Sequence, residues 1–251
     1  MLFDTHAHYY DQAFDGDRDA VLASLAEANV GLVLVPGCDL ASSRQAIELA
    51  ERWPFVYAAV GVHPEDALGL PADWLAQVEG LAQHPKVKAI GEIGLDYYWK
   101  EVPHDLQQEV FAAQLALAER LDLPVIVHDR EAHADTLELL KKYRPKGVVH
   151  SFSGSAEMAK EILNLGMYIG IGGVLTFKNA KKLPEIATAL PSDRFLLETD
   201  APYLAPVPYR SKINNSVLIL LVAEKLAELR NTDCESILKE SRYNAEKLFG
   251  I

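Results

Sequence analysis

Two histidines separated by one residue, His6 and His8, end a short apolar run at the start of the chain, in the stretch LFDTHAH. Alternate residues of a regular strand point to the same side, so both imidazoles would reach one ion. Imidazole suits Zn, Mn, Fe or Co, and carboxylate adds charge and can bridge two ions. The pair therefore predicts a metal site if further ligands converge on it.

Similar groups end other apolar runs. They are His63 in GVHP, Glu92 in GEIGLD, His128 in VIVHDR, His150 in VVHSFSG and Asp200 in LLETDAP. Together with His6 and His8 they supply enough ligands for two divalent ions. Two ions about 3.5–4 Å apart can stabilise both the attacking and the leaving oxygen of an in-line displacement. Packing alone would scatter these residue types over both ends of the strands, so their convergence predicts metal binding.

Short apolar runs, rich in Val and Ile, must position these residues. They span 2–6, 31–37, 56–64, 87–95, 124–128, 147–152, 167–173 and 194–200, and such runs are typical of strands buried on both faces. Amphipathic segments lie between them, including 19–29, 42–53, 107–121 and 156–166, with Asn29 and Gly166 where helices should end. This alternation predicts an α/β fold, a (β/α)8 TIM barrel with a C-terminal tail helix over 234–250. An open doubly wound sheet is the rival, but no GxGxxG follows the first run.

Length and composition narrow the function classes. The 251 residues are 49% hydrophobic and no linker divides them, so we expect a single domain over 1–251. Neither a secretory signal nor an apolar run of the roughly 18 residues that span a membrane is present. Only two cysteines occur, Cys38 and Cys234, which favours a cytoplasmic location. A net charge of −12 excludes non-specific coating of nucleic acid, and no obligate protein partner is evident.

A larger set of motifs points to one family. DTHAH, GVHP, GEIGLDYY, PVIVHDR, HSFSG and LLETDAPYL occur in this order from Leu2 to about Arg210, and the tail NAEKLFG also fits. Jointly they resemble the TatD family of metal-dependent deoxyribonucleases, within the amidohydrolase-like barrels. The resemblance implies hydrolysis of DNA phosphodiesters with one or two divalent ions, Zn, Mn, Mg, Co or Fe. It implies as metal ligands His6, His8, Glu92 (a bridge), His128, His150 and Asp200, and it places His63 against the substrate phosphate.

The segment after the last strand departs from the family pattern. It reads PYRSKINNS over 208–216, in which Arg210 and Asn214 remain but Ser211 and Ser216 replace a glycine and a proline. Since that loop should border the substrate, this is where substrate preference would differ.

The expected mechanism uses a metal-activated water that attacks phosphorus. Asp200 is the candidate to orient that water and accept its proton, with Glu92 and His63 as further catalytic residues. Arg130 and Arg210 are expected to bind flanking phosphates of a nucleic acid substrate. The aromatic run 97–99 either stacks on bases or packs its own loop. Because the chain is acidic, we expect it to bind DNA weakly and only near the metal site. Such binding favours an exonuclease that acts on single-stranded ends.

Two other functions remain open. One is a metal-dependent hydrolase of a small ester, amide or lactone, or of an aminoacyl ester. Phosphotriesterase-like barrels place a carboxylated lysine at the end of strand 4, where this chain has Glu92, while Lys86 and Lys88 lie at the opposite end. The other is a non-enzymatic barrel used as a binding scaffold, which loss of ligands would indicate, and none is lost.

Overall fold

A single sheet of eight parallel strands, paired in sequence order, forms the centre of the computed structural model, which describes residues 1–251. The strands are β1 (Leu2–Asp4), β2 (Val30–Pro36), β3 (Val56–Val60), β4 (Val87–Asp96), β5 (Val125–Arg130), β6 (Gly147–Val149), β7 (Tyr168–Ile171) and β8 (Phe195–Leu197). Each predicted apolar run thus overlaps one strand.

Seven helices connect successive strands: α1 (Arg18–Glu27), α2 (Leu40–Arg52), α3 (Trp74–Leu81), α4 (His104–Leu121), α5 (His133–Tyr143), α6 (Ala156–Asn164) and α7 (Lys182–Ala189). Two more follow β8: α8 (Ile219–Arg230) and α9 (Cys234–Phe249). Asn29 and Gly166 adopt the left-handed backbone that ends a helix, with φ of 65° and 82°. The predicted barrel and its tail helix, α9, are therefore confirmed. None of these helices is both long and apolar enough to span a membrane.

Residues just beyond β1 and β8 close the barrel. The backbone N–H of Thr5 donates to the Leu197 carbonyl at 3.3 Å, and that of Asp200 donates to the His6 carbonyl at 2.9 Å. Further out, the His8 N–H donates to the Ala201 carbonyl at 2.6 Å. Three predicted site residues therefore lie on the seam where the first and last strands meet.

The barrel interior holds one layer of inward side chains capped by the tail helix. Every strand contributes one residue: Phe3, Leu34, Ala59, Ala89, Ile126, Val148, Tyr168 and Leu196. Ala245 and Phe249 of α9 pack against this layer, and the Phe249 ring lies 6.2 Å from that of Phe3. Because Phe3 stands at the start of β1, α9 closes the N-terminal end of the barrel and leaves the C-terminal end open.

Several strands end earlier than their apolar runs. β1 ends at Asp4, β3 at Val60 and β8 at Leu197, although the runs continue to residues 6, 64 and 200. The extra residues leave the ladder because they turn over the rim of the barrel. Most of the predicted site residues consequently lie just past the strands, and only Glu92, His128 and Arg130 lie within them.

Candidate active site

The first cluster of donor atoms lies on the seam and consists of His6, His8, Asp200 and one oxygen of Glu92. The Nε2 atoms of His6 and His8 are 3.0 Å apart. Oε2 of Glu92 lies 3.2 Å from His6 Nε2 and 3.5 Å from His8 Nε2. Oδ1 of Asp200 lies 3.7 and 3.4 Å from the same two nitrogens. Four donors from three strand ends thus surround one point.

The second cluster adjoins the first and consists of His128, His150, His63 and the other oxygen of Glu92. Oε1 of Glu92 lies 2.7 Å from His150 Nε2 and 3.0 Å from His128 Nδ1. Those two nitrogens are 3.3 Å apart. His63 is more distant, with Nε2 at 3.6 Å from Oε1. Glu92 therefore stands between the clusters and offers one oxygen to each.

An irregularity in β4 aims Glu92 into the site. Between the pairs Ile90–Val125 and Ile93–Val127, β4 advances three residues while β5 advances two. Such a bulge reverses the usual alternation and re-aims a side chain, and bulges are common beside active sites. In a regular strand Glu92 would share the outer face with Ile90. Gly91 allows β4 to lie close to Ile126 of β5 at this point, since a Cβ on residue 91 would lie 2.7 Å from the Cβ of Ile126.

Both clusters fit divalent metal ions. With bonds of about 2.1 Å, two ligands of a tetrahedral ion lie about 3.4 Å apart. The donor distances within the clusters run from 2.7 Å (His150 to Glu92) to 3.7 Å (His6 to Asp200). Sets of imidazole nitrogens with carboxylate oxygens suit transition metals such as zinc.

Hydrogen bonds to the remote ring nitrogens orient two of the histidines. His128 Nε2 lies 3.1 Å from Oδ2 of Asp96, so the proton belongs on Nε2 and the Nδ1 lone pair faces the second cluster. His8 Nδ1 lies 2.9 Å from the hydroxyl of Tyr10, which itself donates to Cys38 Sγ at 3.2 Å. His8 therefore donates through Nδ1 and directs the Nε2 lone pair into the first cluster. Outer partners of this kind fix ring orientation and tautomer at metal sites.

Beneath the seam, the buried carboxylate of Asp4 ties the ends of β1 and β8 together. It accepts hydrogen bonds from the backbone N–H groups of His6 and Thr199 and from the Thr199 hydroxyl, the last at 2.6 Å. The Ser216 hydroxyl also donates to it at 2.6 Å and accepts from the buried Tyr9 hydroxyl at 2.7 Å. Burial nonetheless raises the pKa of Asp4 to about 6. Ser216, a departure from the family pattern, is thus part of this support.

Burial and neighbouring charge set the ionisation of the ligands. Burial lowers the pKa of His6 to about 4 and that of His63 to about 3. Burial opposes ionisation of Glu92 too, but its contacts with His150 and His6 hold its pKa well below the usual range. At neutral pH, His6 is neutral and Glu92 is ionised, which are the forms that bind a metal. For His8, His128 and His150, contacts with neighbouring acidic groups outweigh burial and raise the pKa, that of His128 to about 10, so a metal ion would displace protons from these rings.

The two acidic residues at the end of β8 differ in environment. The side chain of Asp200 is 15% exposed and faces the open mouth, and its backbone is left-handed with φ of 57°. Glu198 is fully buried below it, accepts the Ser151 N–H at 2.5 Å and lies 3.8 Å from His150 Nδ1. Burial raises the pKa of Glu198 to about 8. Only Asp200 is therefore placed to meet a substrate.

Two guanidinium groups lie at the same end of the barrel without a carboxylate partner. That of Arg130, at the end of β5, lies 3.9 Å from the Tyr98 ring centroid and forms no hydrogen bond or ion pair. That of Arg210, after β8, lies 3.5 Å from the Phe177 centroid and donates only to the Ala205 carbonyl, at 3.4 Å. Both charges are available to an anion.

The structure brings together every metal ligand expected from the sequence, together with His63. Asp96, Tyr10 and Cys38 contact the ligand histidines or each other and belong to none of the sites expected from the sequence. Asp96 carried a detectable signal, because it is an acid at the end of β4 inside the GEIGLDYY motif. Tyr10 and Cys38 lie on separate loops, and no spacing connects them.

A (β/α)8 barrel whose C-terminal mouth carries two His/carboxylate clusters is the arrangement of a metal-dependent hydrolase. The family described as TatD related DNase matches residues 3–250, and the chain belongs to that family. It is 42% identical over 254 residues to the uncharacterized metal-dependent hydrolase YabD of Bacillus subtilis, with both chains fully covered. It is 35% identical over 259 residues to the 3'-5' ssDNA/RNA exonuclease TatD of Erwinia tasmaniensis, again with both fully covered.

Solved structures give the same relationship. The TatD homologue YjjV of Escherichia coli K12 superposes with a TM-score of 0.94 at 35% identity, covering 100% of this chain and 98% of that one. A TatD family hydrolase of Entamoeba histolytica shares the fold, with a TM-score of 0.89 at 24% identity over 99% and 97% of the chains. The predictions of the family, of a metal-dependent hydrolase and of one or two divalent ions as cofactor are confirmed.

Proposed function

We propose that this hydrolase cleaves DNA phosphodiester bonds and acts as an exonuclease on single-stranded ends. The observation that carries the proposal is the shared carboxylate of Glu92 between two clusters, at a mouth that also holds the unpaired guanidinium groups of Arg130 and Arg210. Two adjacent divalent cations with cationic side chains nearby suit a phosphate diester better than a neutral ester.

The ligand roles follow from the donor distances. His6, His8 and Asp200 would hold one ion, His128 and His150 would hold the other, and Glu92 would bridge them. Bound divalent ions lower the pKa of water and offset charge on phosphoryl oxygens. The protein provides rings already turned toward the clusters by Asp96 and Tyr10.

Asp200 is the best placed proton acceptor for the attacking water. Its side chain is 15% exposed, whereas that of Glu92 is 3% exposed and lies among five histidines. Burial opposes ionisation of Asp200, but its contacts with His8 and with the other histidines of the clusters lower its pKa. It therefore carries a negative charge at neutral pH and reaches the open side of the first cluster. Glu92 would contribute to catalysis as the ligand shared by the two clusters.

His63 is suited to donate a hydrogen bond to a phosphoryl oxygen. Its Nδ1 accepts the Glu65 N–H at 3.3 Å, so the neutral ring carries its proton on Nε2, the nitrogen that faces Glu92. Its longer distance from Oε1 fits a substrate contact better than a metal ligand. Arg130 and Arg210 would hold the flanking phosphates.

Preference for a DNA end rests on relatives and on charge. A relative of 35% identity over the full chain is named a 3'-5' ssDNA/RNA exonuclease. The net charge of −12 disfavours a grip on long duplex, because sequence-independent affinity depends on basic surface. Both cysteines are free. Three expectations stay predictions: the cytoplasmic location, the single-domain organisation and the absence of an obligate protein partner.

The test uses linear and circular single-stranded DNA of identical sequence. The linear form carries a label at one end, and the purified enzyme is loaded separately with Mn, Co, Zn or Mg. We expect stepwise shortening of the linear form, an intact circle and loss of activity in EDTA. A circle cut as fast as the linear form would mean endonuclease action and would contradict the exonuclease proposal.

A parallel assay covers the rival function. The same metal-loaded samples are given a carboxylic ester, a lactone and an aminoacyl ester. Intact DNA together with hydrolysis of any of these would reject the proposal in favour of a small-ester or aminoacyl-ester hydrolase.

A further inference from the structure

The loop from Tyr97 to Pro103, between β4 and α4, presents exposed aromatic rings at the mouth. The side chains of Tyr98 and Trp99 are 45% and 44% exposed, and their rings are perpendicular with centroids 4.9 Å apart. Tyr97 instead packs on His104 with parallel rings 3.6 Å apart, so it belongs to the packing of the loop. Large apolar rings left half in water at an active-site mouth have no role in the core.

Trp99 lines a cavity of about 260 Å³. Its other walls are Glu65, from the loop after β3, and Glu101, Val102 and Gln107. Glu65 is two residues from His63, so the cavity adjoins the second cluster. The Arg130 guanidinium covers the neighbouring Tyr98 ring at 3.9 Å from its centroid but lies 5.7 Å from that of Trp99, so Trp99 offers the more open stacking surface.

Hydrogen bonds fix this loop before any ligand arrives. The amide of Gln107 accepts from the Asp96 N–H at 2.8 Å and donates to the carbonyls of Asp96 and Val102, at 2.8 and 3.1 Å. Oδ1 of Asp96 accepts the N–H groups of Tyr98 and Trp99 at 2.9 and 3.1 Å. A surface held in this way loses little conformational entropy on binding.

Asp96 also connects the loop to the metal-binding residues. Its other oxygen, Oδ2, lies 3.1 Å from Nε2 of His128. One carboxylate thus joins the Trp99 backbone to a histidine of the second cluster. The aromatic surface and the site of cleavage are held in a fixed relation.

We propose that the Trp99 cavity binds the nucleobase next to the scissile phosphate. The base stacks on the Trp99 indole, and Arg130, stacked on Tyr98, donates to the adjoining phosphate. Aromatic stacking binds any base through its π face, so it fits single-stranded DNA, whose bases are free. This subsite rests on the proposed nuclease function and deepens it.

The carboxylates that line the cavity add a preference. Glu65 and Glu101 can only accept hydrogen bonds when ionised, and the amino group of cytosine is a donor to carboxylates. Thymine presents carbonyl oxygens at the same edge, which carboxylates repel. We therefore expect a lower KM for an oligonucleotide ending in cytosines than for one ending in thymines. Equal KM values would contradict this preference.

The kinetic test pairs Trp99→Ala with a substrate that lacks bases. One oligonucleotide is normal, and the other carries abasic units at the two terminal positions of each end. Loss of one stack should raise KM for the normal substrate between about 5-fold and about 100-fold. The abasic substrate should show the same rise in the wild type and no further rise in Trp99→Ala. Trp99→Phe, which keeps a ring, should recover most of the affinity, and Tyr243→Ala, 63% exposed on α9, should change nothing.

A binding test needs no turnover. Metal-free protein is titrated with the tetranucleotide dC4 while tryptophan fluorescence is followed. Of the three tryptophans, Trp99 is the exposed one, so we expect saturable quenching that Trp99→Phe abolishes. No quenching, or quenching that persists in Trp99→Phe, overturns the subsite.

The outcomes separate the two proposals. If the wild type cleaves no DNA but shows quenching that depends on Trp99, the nuclease proposal fails and the base subsite stands. If the wild type cleaves DNA and Trp99→Ala raises KM equally on normal and abasic substrates, the subsite fails and the nuclease proposal stands.

Discussion

At the scale of single residues, the left-handed backbone of Asp200 makes a clean test of its role possible. Asparagine tolerates a φ of 57° as aspartate does, so Asp200→Asn should fold normally while losing charge and basicity. If Asp200 accepts the proton of water, kcat should fall about 10²–10⁴-fold with KM nearly unchanged. Steady-state kinetics on the labelled oligonucleotide and metal analysis of the purified variant provide the measurement.

The matched control is Asp193→Asn, an exposed acid before β8 at the opposite end of the barrel. Its kcat should equal that of the wild type. The variant Asp200→Asn should retain at least one ion, because the other ligands are intact. Near-normal kcat with metal bound would reassign the proton acceptor, with Glu92 or His63 next in line.

Tyr10 is expected to act on metal affinity through His8. Tyr10→Phe keeps the ring, which lies edge-on to His8 at 5.7 Å, but removes the acceptor of the Nδ1 proton. Loss of such an outer partner typically weakens metal binding about 10–100-fold. Competition between the metal-free protein and a chromophoric chelator would measure the dissociation constant for zinc.

The exposed Tyr243 supplies the control, since Tyr243→Phe removes a hydroxyl far from the site. Cys38→Ala should have a smaller effect than Tyr10→Phe, because Cys38 contacts the Tyr10 hydroxyl and lies 3.9 Å from His8 Nδ1. Unchanged zinc affinity in Tyr10→Phe would show that the backbone alone orients His8.

The residues that meet at the site were predictable from type and position, whereas those that orient them mostly were not. His6 and His8 converge as their spacing indicated, although β1 ends at Asp4 and the regular strand assumed for them is absent. A bridge at Ala7 keeps the backbone extended enough for both rings to face one point. The contact between Tyr10 and Cys38 could not be predicted from the sequence, because it depends on how two separate loops meet in space.

At the scale of elements, periodicity predicted all eight strands but could not reveal the bulge in β4. An apolar run around Gly91 reads the same with or without an extra residue, because both faces of a barrel strand are buried. The bulge decides whether Glu92 points into the mouth or toward the surrounding helices. The apolar runs place the ends of β1, β3 and β8 too late for a related reason, since apolar and ligand residues continue over the rim after strand pairing has stopped.

The tail helix α9 is expected to stabilise the barrel from the end opposite the site. Phe249 is 4% exposed and packs on the inward layer beside Phe3. Truncation of such a ring, Phe249→Ala, should lower the free energy of unfolding by about 3–5 kcal/mol. Urea unfolding followed by circular dichroism measures this loss. Since the clusters lie at the other mouth, kcat of the folded fraction should be unchanged.

Tyr243→Ala on the same helix removes an aromatic ring that is 63% exposed, and it should change stability by no more than about 0.5 kcal/mol. An equal loss in both variants would mean that helix propensity, and not closure of the barrel, accounts for the effect. A fall in kcat for Phe249→Ala would show that the inward layer transmits strain to the mouth.

At the scale of the whole molecule, the net charge of −12 contrasts with the unpaired cations at the mouth. Repulsion between the acidic surface and the DNA backbone grows with the number of nucleotides that approach it. Attraction is limited to the metal clusters and to the guanidinium groups of Arg130 and Arg210. Affinity should therefore stop increasing once an oligonucleotide spans the mouth, which fits trimming of an end.

Arg210→Ala tests this division of charge through salt dependence. The guanidinium rests on Phe177 and has no carboxylate partner, so its removal should raise KM while leaving kcat nearly unchanged. One phosphate contact on a single strand contributes about 0.7 to the slope of log affinity against log salt, and the variant should lose about that much. The rise in KM should consequently shrink at high salt.

Two variants serve as controls. Arg210→Lys should keep the slope because it keeps the charge. Arg194→Ala, at the closed end beside Asp193, should alter neither KM nor slope. A rise in KM that is independent of salt would mean that Arg210 shapes the loop after β8 and does not bind phosphate.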